Sequence, residues 1–196
     1  MNRLSQVVFA VLFFCGVSFA QAAPTSVTLD GDALTKTFEA QAPDGDKLIE
    51  FIRESESFES WTKLVGYRYQ SIPRLGNDPL KTAWAMADLI KKTTSQPYVQ
   101  VFDNKQTKHA LLVFVAMYPA KRYVEQNVFR FWKSKDGKAV VSLQLAFRIQ
   151  IPKAENGQQP KGAERILKEI SDRNKSWLDQ AARFDSKAVE ETLLSQ

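Results

Sequence analysis

From Tyr98 to Ile151 the chain reads as a succession of β-strands joined by short turns, and the last strand constrains the fold most. Val141, Leu143, Leu145, Phe147, Ile149 and Ile151 alternate with Ser142, Gln144, Arg148 and Gln150. A period of two sends the first set to one face of a sheet and the second to the other. Upstream, about Tyr98–Phe102, Lys108–Tyr118 and Asn127–Lys133 are rich in β-branched and aromatic residues. Leu111–Met117 is apolar at both parities, which predicts a central strand covered on both faces. Leu48–Ile52 and Trp61–Tyr69 read as two earlier strands, separated by the acidic stretch Glu54, Glu56 and Glu59.

Two helices bracket this β run. Asn77-Asp78-Pro79 is a helix start, because Asp78 can cap free N–H groups and Pro79 lacks the N–H that the first helical position leaves unused. That helix is predicted over 80–93, with Leu80, Ala83, Trp84, Ala87 and Ile90 on its inner face. Lys91 and Lys92 complement its C-terminal dipole, and Pro97 stops it. A second helix is predicted over 163–184, with the stripe Ile166, Ile170, Trp177, Ala181 and Phe184 widened by Leu167 and Leu178. Residues 188–194 extend it or add a short turn. The expected fold is α+β: a mainly antiparallel sheet of five to seven strands flanked by two main helices.

The turn Lys135-Asp136-Gly137-Lys138 sets a register. A two-residue loop would pair Phe131 with Ser142 and Phe129 with Gln144, placing two phenylalanines on the polar side. A three-residue loop with Gly137 left-handed pairs Phe131 with Val141 and Phe129 with Leu143. A one-residue slip flips every side chain, so hydrophobic matching favours the bulged loop. Val128, Arg130 and Trp132 then lie beside Val140, Ser142 and Gln144, with Arg148 on the same face. Arg130, Trp132, Gln144 and Arg148 are therefore the candidate ligand-binding residues, since guanidinium groups and an indole can hold a planar or anionic ligand. The competing reading is a helix covering this face while the arginine stems lie along apolar surface.

Residues 1–23 carry the parts of a signal peptide: Arg3, an apolar core from Val7 to Ala20, and Ala20-Gln21-Ala22 for cleavage near Ala22 or Ala23. A membrane anchor is the weaker reading, because the apolar core is short for a span. Residues 24–46 read as an N-terminal arm with one short strand near Val27–Leu29, and residues 47–196 as a single domain. A periplasmic or secreted location follows, without a transmembrane span after processing.

The only cysteine, Cys15, falls in the signal segment, and His109 is the only histidine. The mature part therefore has no thiol nucleophile, disulfide or Cys/His metal site, and no metal or cofactor is expected. His109 is expected to be partly exposed and non-catalytic. Glu50, Glu54, Glu56 and Glu59 set no carboxylate pair at a defined separation. Asp30/Asp32 and Asp44/Asp46 lack the further ligands of a calcium loop.

Residues 99–153 hold ten basic and three acidic side chains. Lys105, Lys108, Lys121, Arg122, Lys133, Lys135 and Lys138 lie mostly at turns, where they are expected to be exposed. Export points this charge at anionic envelope polymers, lipid headgroups or an envelope protein rather than at nucleic acid.

The order of strand, Glu-rich turn, Ser60-Trp61-Thr62-Lys63-Leu64 strand, helix, four antiparallel strands and C-terminal helix covers residues 48–184. It resembles the small exported bacterial PsbP/Mog1-like proteins. The resemblance implies a helix-flanked sheet and an accessory or binding role without a shared catalytic constellation. It carries over no functional residue. Three functions are expected: a non-enzymatic periplasmic accessory or binding protein; a cofactor-free hydrolase or lyase using Glu50 or Glu59 with Tyr67 or Arg68; or a structural subunit of an envelope or secretion assembly.

Overall fold

Alternation along the chain becomes nine strands and three helices among the described residues of the computed structural model, which are 26–94, 97–151 and 163–195. The expected signal segment lies outside them, as does the Gly/Pro/Gln-rich stretch 155–162, which reads as a linker in the sequence. The strands are Val27–Leu29 (β1), Asp32–Leu34 (β2), Lys36–Gln41 (β3), Lys47–Ile52 (β4), Lys63–Gln70 (β5), Tyr98–Asn104 (β6), His109–Tyr118 (β7), Tyr123–Lys133 (β8) and Val140–Gln150 (β9). The helices are Pro79–Thr93 (α1), Ala163–Arg183 (α2) and Ser186–Leu194 (α3). Seven strands form one sheet in the order β3-β4-β5-β9-β8-β7-β6, every pair antiparallel, and β1-β2 form a separate hairpin. The fold is α+β.

Residues 27–41 are more regular than an arm. Asp30 and Gly31 both have positive φ, 49° and 78°, so β1-β2 is joined by a two-residue type I′ loop. β3 then pairs with β4 along its whole length and forms one edge of the main sheet. Gly31 and the polar residues of β3 hide this in the sequence, because an edge strand needs no hydrophobic alternation.

α1 packs on one face of β6, β7 and β8, and its Ala83, Ala87 and Ile90 meet Leu112, Phe114, Phe129 and Phe131. Asp78 caps it as expected, accepting from the Lys81 N–H at 2.9 Å. Trp84 departs from expectation: it is exposed, with Lys91 above its ring. The second face is covered by α2 over β8 and β9 and by α3 over β4 and β5. Trp177, Ala181, Val189 and Leu193 close the main core against Phe51, Val128, Leu143 and Leu145. Leu167, expected to widen the α2 stripe, is exposed. β7 is covered on both faces in its first half but lies next to the edge strand, and Met117 near its end is exposed.

The β8-β9 register corrects the bulged-hairpin expectation. Phe131 pairs with Ser142 and Phe129 with Gln144. The loop is neither of the two alternatives. Ser134 N–H donates to Ala139 O (3.0 Å) and Gly137 N–H to Ser134 O (2.9 Å), leaving four residues, 135–138, in the loop. Gly137 is left-handed at φ 74°, while Asp136 is not among the positive-φ residues. The Asp136 carboxylate holds this loop, accepting from Ser134 Oγ (2.7 Å), Lys138 N–H (3.0 Å) and the Tyr69 hydroxyl (3.2 Å). Hydrophobic matching misleads here because both faces of β9 are covered, so Ser142 and Gln144 are buried with the phenylalanines.

Candidate functional site

The corrected register separates the four candidate residues. Arg130 and Trp132 project under α2 and α3; Gln144 and Arg148 project from the opposite face of the sheet. No single ligand surface unites them.

Arg130 is 7% exposed and closes the end of α2. Its Nη1 donates to the carbonyls of Ala181 (3.0 Å) and Phe184 (2.8 Å), groups a helix end leaves without intrahelical partners. Its Nε and Nη2 lie 3.1 and 2.9 Å from His109 Nδ1. Arginine only donates, so Nδ1 accepts and the imidazole is neutral with its proton on Nε2. Burial and then the Arg130 charge hold the His109 pKa below its ordinary value. The guanidinium also stacks near Trp132, which is 4% exposed. Here the covering-helix reading describes the side chains.

Gln144 and Arg148 belong to a buried polar row across four strands. Glu50 accepts from Arg68 Nη2 at 3.3 Å, and Arg68 Nη2 also reaches Gln144 Oε1 at 3.0 Å. Gln144 Nε2 donates to Asn127 Oδ1 (2.8 Å), Asn127 Nδ2 to Glu125 (3.0 Å), and Arg148 Nε to the other Glu125 oxygen (2.9 Å). Arg148 lies 3.7 Å from the centroid of the Trp61 ring. The fold does bring Glu50 to Arg68, as the hydrolase reading requires, but Tyr67 projects from the other face into the main core. The row's groups are occupied by one another, which suits fixing the strand register better than taking a ligand.

The aspartate pairs are similarly engaged. Asp30 accepts from Trp177 Nε1 and Gln180 Nε2 at 3.1 Å, and Lys63 Nζ lies 3.4 Å from Asp30 and 2.6 Å from Asp32. Burial pushes the Asp30 carboxyl up, but the Gln180, Trp177 and Lys63 contacts outweigh it and its pKa is lowered. Among the described residues no group of three or more His, Cys, Asp and Glu side chains is placed to hold a metal ion.

The open cleft lies elsewhere, at one end of the sheet. A cavity of about 500 Å³ is lined by Gly76 to Leu80 at the start of α1, Asp103, Lys105, Lys108 and His109 around the β6-β7 turn, and Lys133 at the end of β8. Antiparallel connection explains the gathering: the β6-β7 and β8-β9 turns fall at the same sheet end, where α1 begins. Lys108 takes a left-handed conformation, φ 56°, which turns the chain into β7. None of Lys105, Lys108 and Lys133 forms an ion pair among the described residues. Of the two facing carboxylates, Asp78 is occupied capping α1. The sequence shows these lysines as a basic excess at turns, but not that two turns distant in the chain converge on one cleft.

Among the described residues no helix is long and apolar enough to cross a membrane. No curated protein matches the chain. A family model matches residues 21–186, most of the sequence, and the chain belongs to that family.

Proposed function

We propose that this protein is a non-enzymatic exported accessory or binding protein, of the PsbP/Mog1-like kind, that holds a phosphate-bearing anionic component of the cell envelope in the cleft at the start of α1. The observation carrying this reading is the convergence of Lys105, Lys108 and Lys133 on one open cavity of about 500 Å³. Lysine ammonium groups are point charges that suit phosphate oxygens without demanding one orientation. His109, held neutral by burial and then by the Arg130 charge, adds a polar wall without charge. The engaged state of Glu50 and Arg68 supports binding over hydrolase or lyase chemistry on that pair.

The test is binding to phosphatidylglycerol vesicles and, in a separate arm, to soluble polyphosphate, with phosphatidylcholine vesicles as control. A lysine near an anionic surface contributes about 1 kcal/mol, so the triple variant Lys105→Gln/Lys108→Gln/Lys133→Gln should bind roughly 100-fold more weakly. Binding should also weaken steeply with salt. The arm that binds identifies lipid or polymer as the source. No binding in either arm, or an affinity untouched by the triple change, would overturn the reading.

A further inference from the structure

β6 is an edge strand, and Tyr98-Val99-Gln100-Val101-Phe102 carries no charge, proline or glycine along it. Natural edges are usually blunted by lysine, proline or a bulge, because unpaired N–H and C=O groups invite another strand. The opposite edge, β3, carries Lys36 and Glu39. Among the described residues no strand pairs with the outer side of β6. On the α2 side of the sheet, Tyr98 and Phe102 are 47% and 41% exposed, with Met117 beside them at 50%. α2 covers β8 and β9 and leaves this strip open.

The segment is close to a palindrome about Gln100: aromatic, valine, glutamine, valine, aromatic. We infer that β6 pairs antiparallel with β6 of a second copy about a two-fold axis at Gln100, joining two sheets into one. In that register Tyr98 faces Phe102 of the second copy, Val99 faces its Val101, and the two Gln100 side chains meet at the axis. Paired residues in an antiparallel ladder share a face. This register therefore keeps the aromatic residues together on one side and the valines on the other, whereas a one-residue slip would oppose valine to aromatic across the sheet. The contact is isologous, so it closes as a dimer instead of propagating. α1 packs over β6 and flanks the seam on the valine side, with Leu89 exposed on it. The inference stands apart from the cleft reading, since none of the three cleft lysines lies in 98–102.

Sedimentation equilibrium on the protein, expressed with its whole N-terminal segment and processed by its host, tests this. A strand-pair interface is small, and a dissociation constant on the order of 10 μM is expected. Gln100→Lys and Gln100→Glu each place like charges at the axis and should weaken the dimer at least about 10-fold. An equimolar mixture of the two should recover association as a heterodimer, which neither repulsion nor misfolding of a single variant would produce. Should both charged variants fail to fold, Gln100→Cys with Cys15→Ser decides. Directly opposed Cα atoms in a ladder lie within disulfide reach. Mild oxidation should give a covalent dimer on a non-reducing gel. A wild-type monomer throughout about 1–100 μM, a dimer indifferent to charge at position 100, or no cross-link from the cysteine variant would overturn the inference.

Discussion

At the scale of single residues, the informative positions are those where a polar group is buried and held from several sides. Gly66 is one. A Cβ there would sit 3.2 Å from Gln144 Oε1 and 3.4 Å from Gln144 Cβ. Gln144 has nowhere to retreat, because Asn127 and Arg68 hold both ends of its amide. Gly66→Ala should therefore destabilise by about 1–3 kcal/mol, as overpacking in a tight core does, even though alanine otherwise favours a strand more than glycine. Urea unfolding measures it; an unchanged midpoint would mean the row yields freely. Nothing in the local sequence marks Gly66, since the residue it makes room for lies in another strand and far along the chain. The Asp78-Pro79 helix start was legible for the opposite reason: capping involves only neighbours in sequence.

At the scale of elements, the strands β6 to β9, α1 and α2 were legible because periodicity is local and long segments repeat it. The loops and edges were not. Three Asp-Gly pairs are present, Asp30-Gly31, Asp44-Gly45 and Asp136-Gly137, and the sequence distinguishes them poorly. Asp30-Gly31 makes the two-residue type I′ loop, whereas Asp136 spends its carboxylate on Ser134, Lys138 and Tyr69 and makes a four-residue loop. The junction of α2 and α3 depends likewise on a residue from another element. Arg130, from β8, takes the two carbonyls that end α2. Arg130→Leu should leave them buried and unpaired and lower stability by about 3 kcal/mol. Amide exchange should quicken most in α3 and the last turn of α2, because the cap fixes their joint. Uniform quickening across the sheet instead would show that Arg130 stabilises only through general packing.

At the scale of the whole molecule, His109 links stability to pH. Its pKa in the folded protein lies below the ordinary value of about 6.5, through burial first and the Arg130 charge second. Between the folded and unfolded values the unfolded chain binds more protons, so stability rises with pH across that window and falls as pH drops below about 6.5. His109→Gln, which keeps an acceptor for Arg130, should flatten this slope while leaving the response of the carboxylates at lower pH. Thermal melts from pH 7 to 5 measure it, and an equal slope in both proteins would remove His109 as the cause. What the sequence determined by itself is whatever depends on near neighbours: the β run, the two long helices, the α+β class and the location of basic side chains at turns. What only the tertiary structure decided is which distant residues meet. The covering of both sheet faces reversed the expected hairpin register and parted Arg130 and Trp132 from Gln144 and Arg148, while antiparallel connection of β6 to β9 gathered Lys105, Lys108 and Lys133 at one end. The physical reason is that a period of two names two faces without saying what will cover either. Burial, which chooses between them, is a property of the packed molecule.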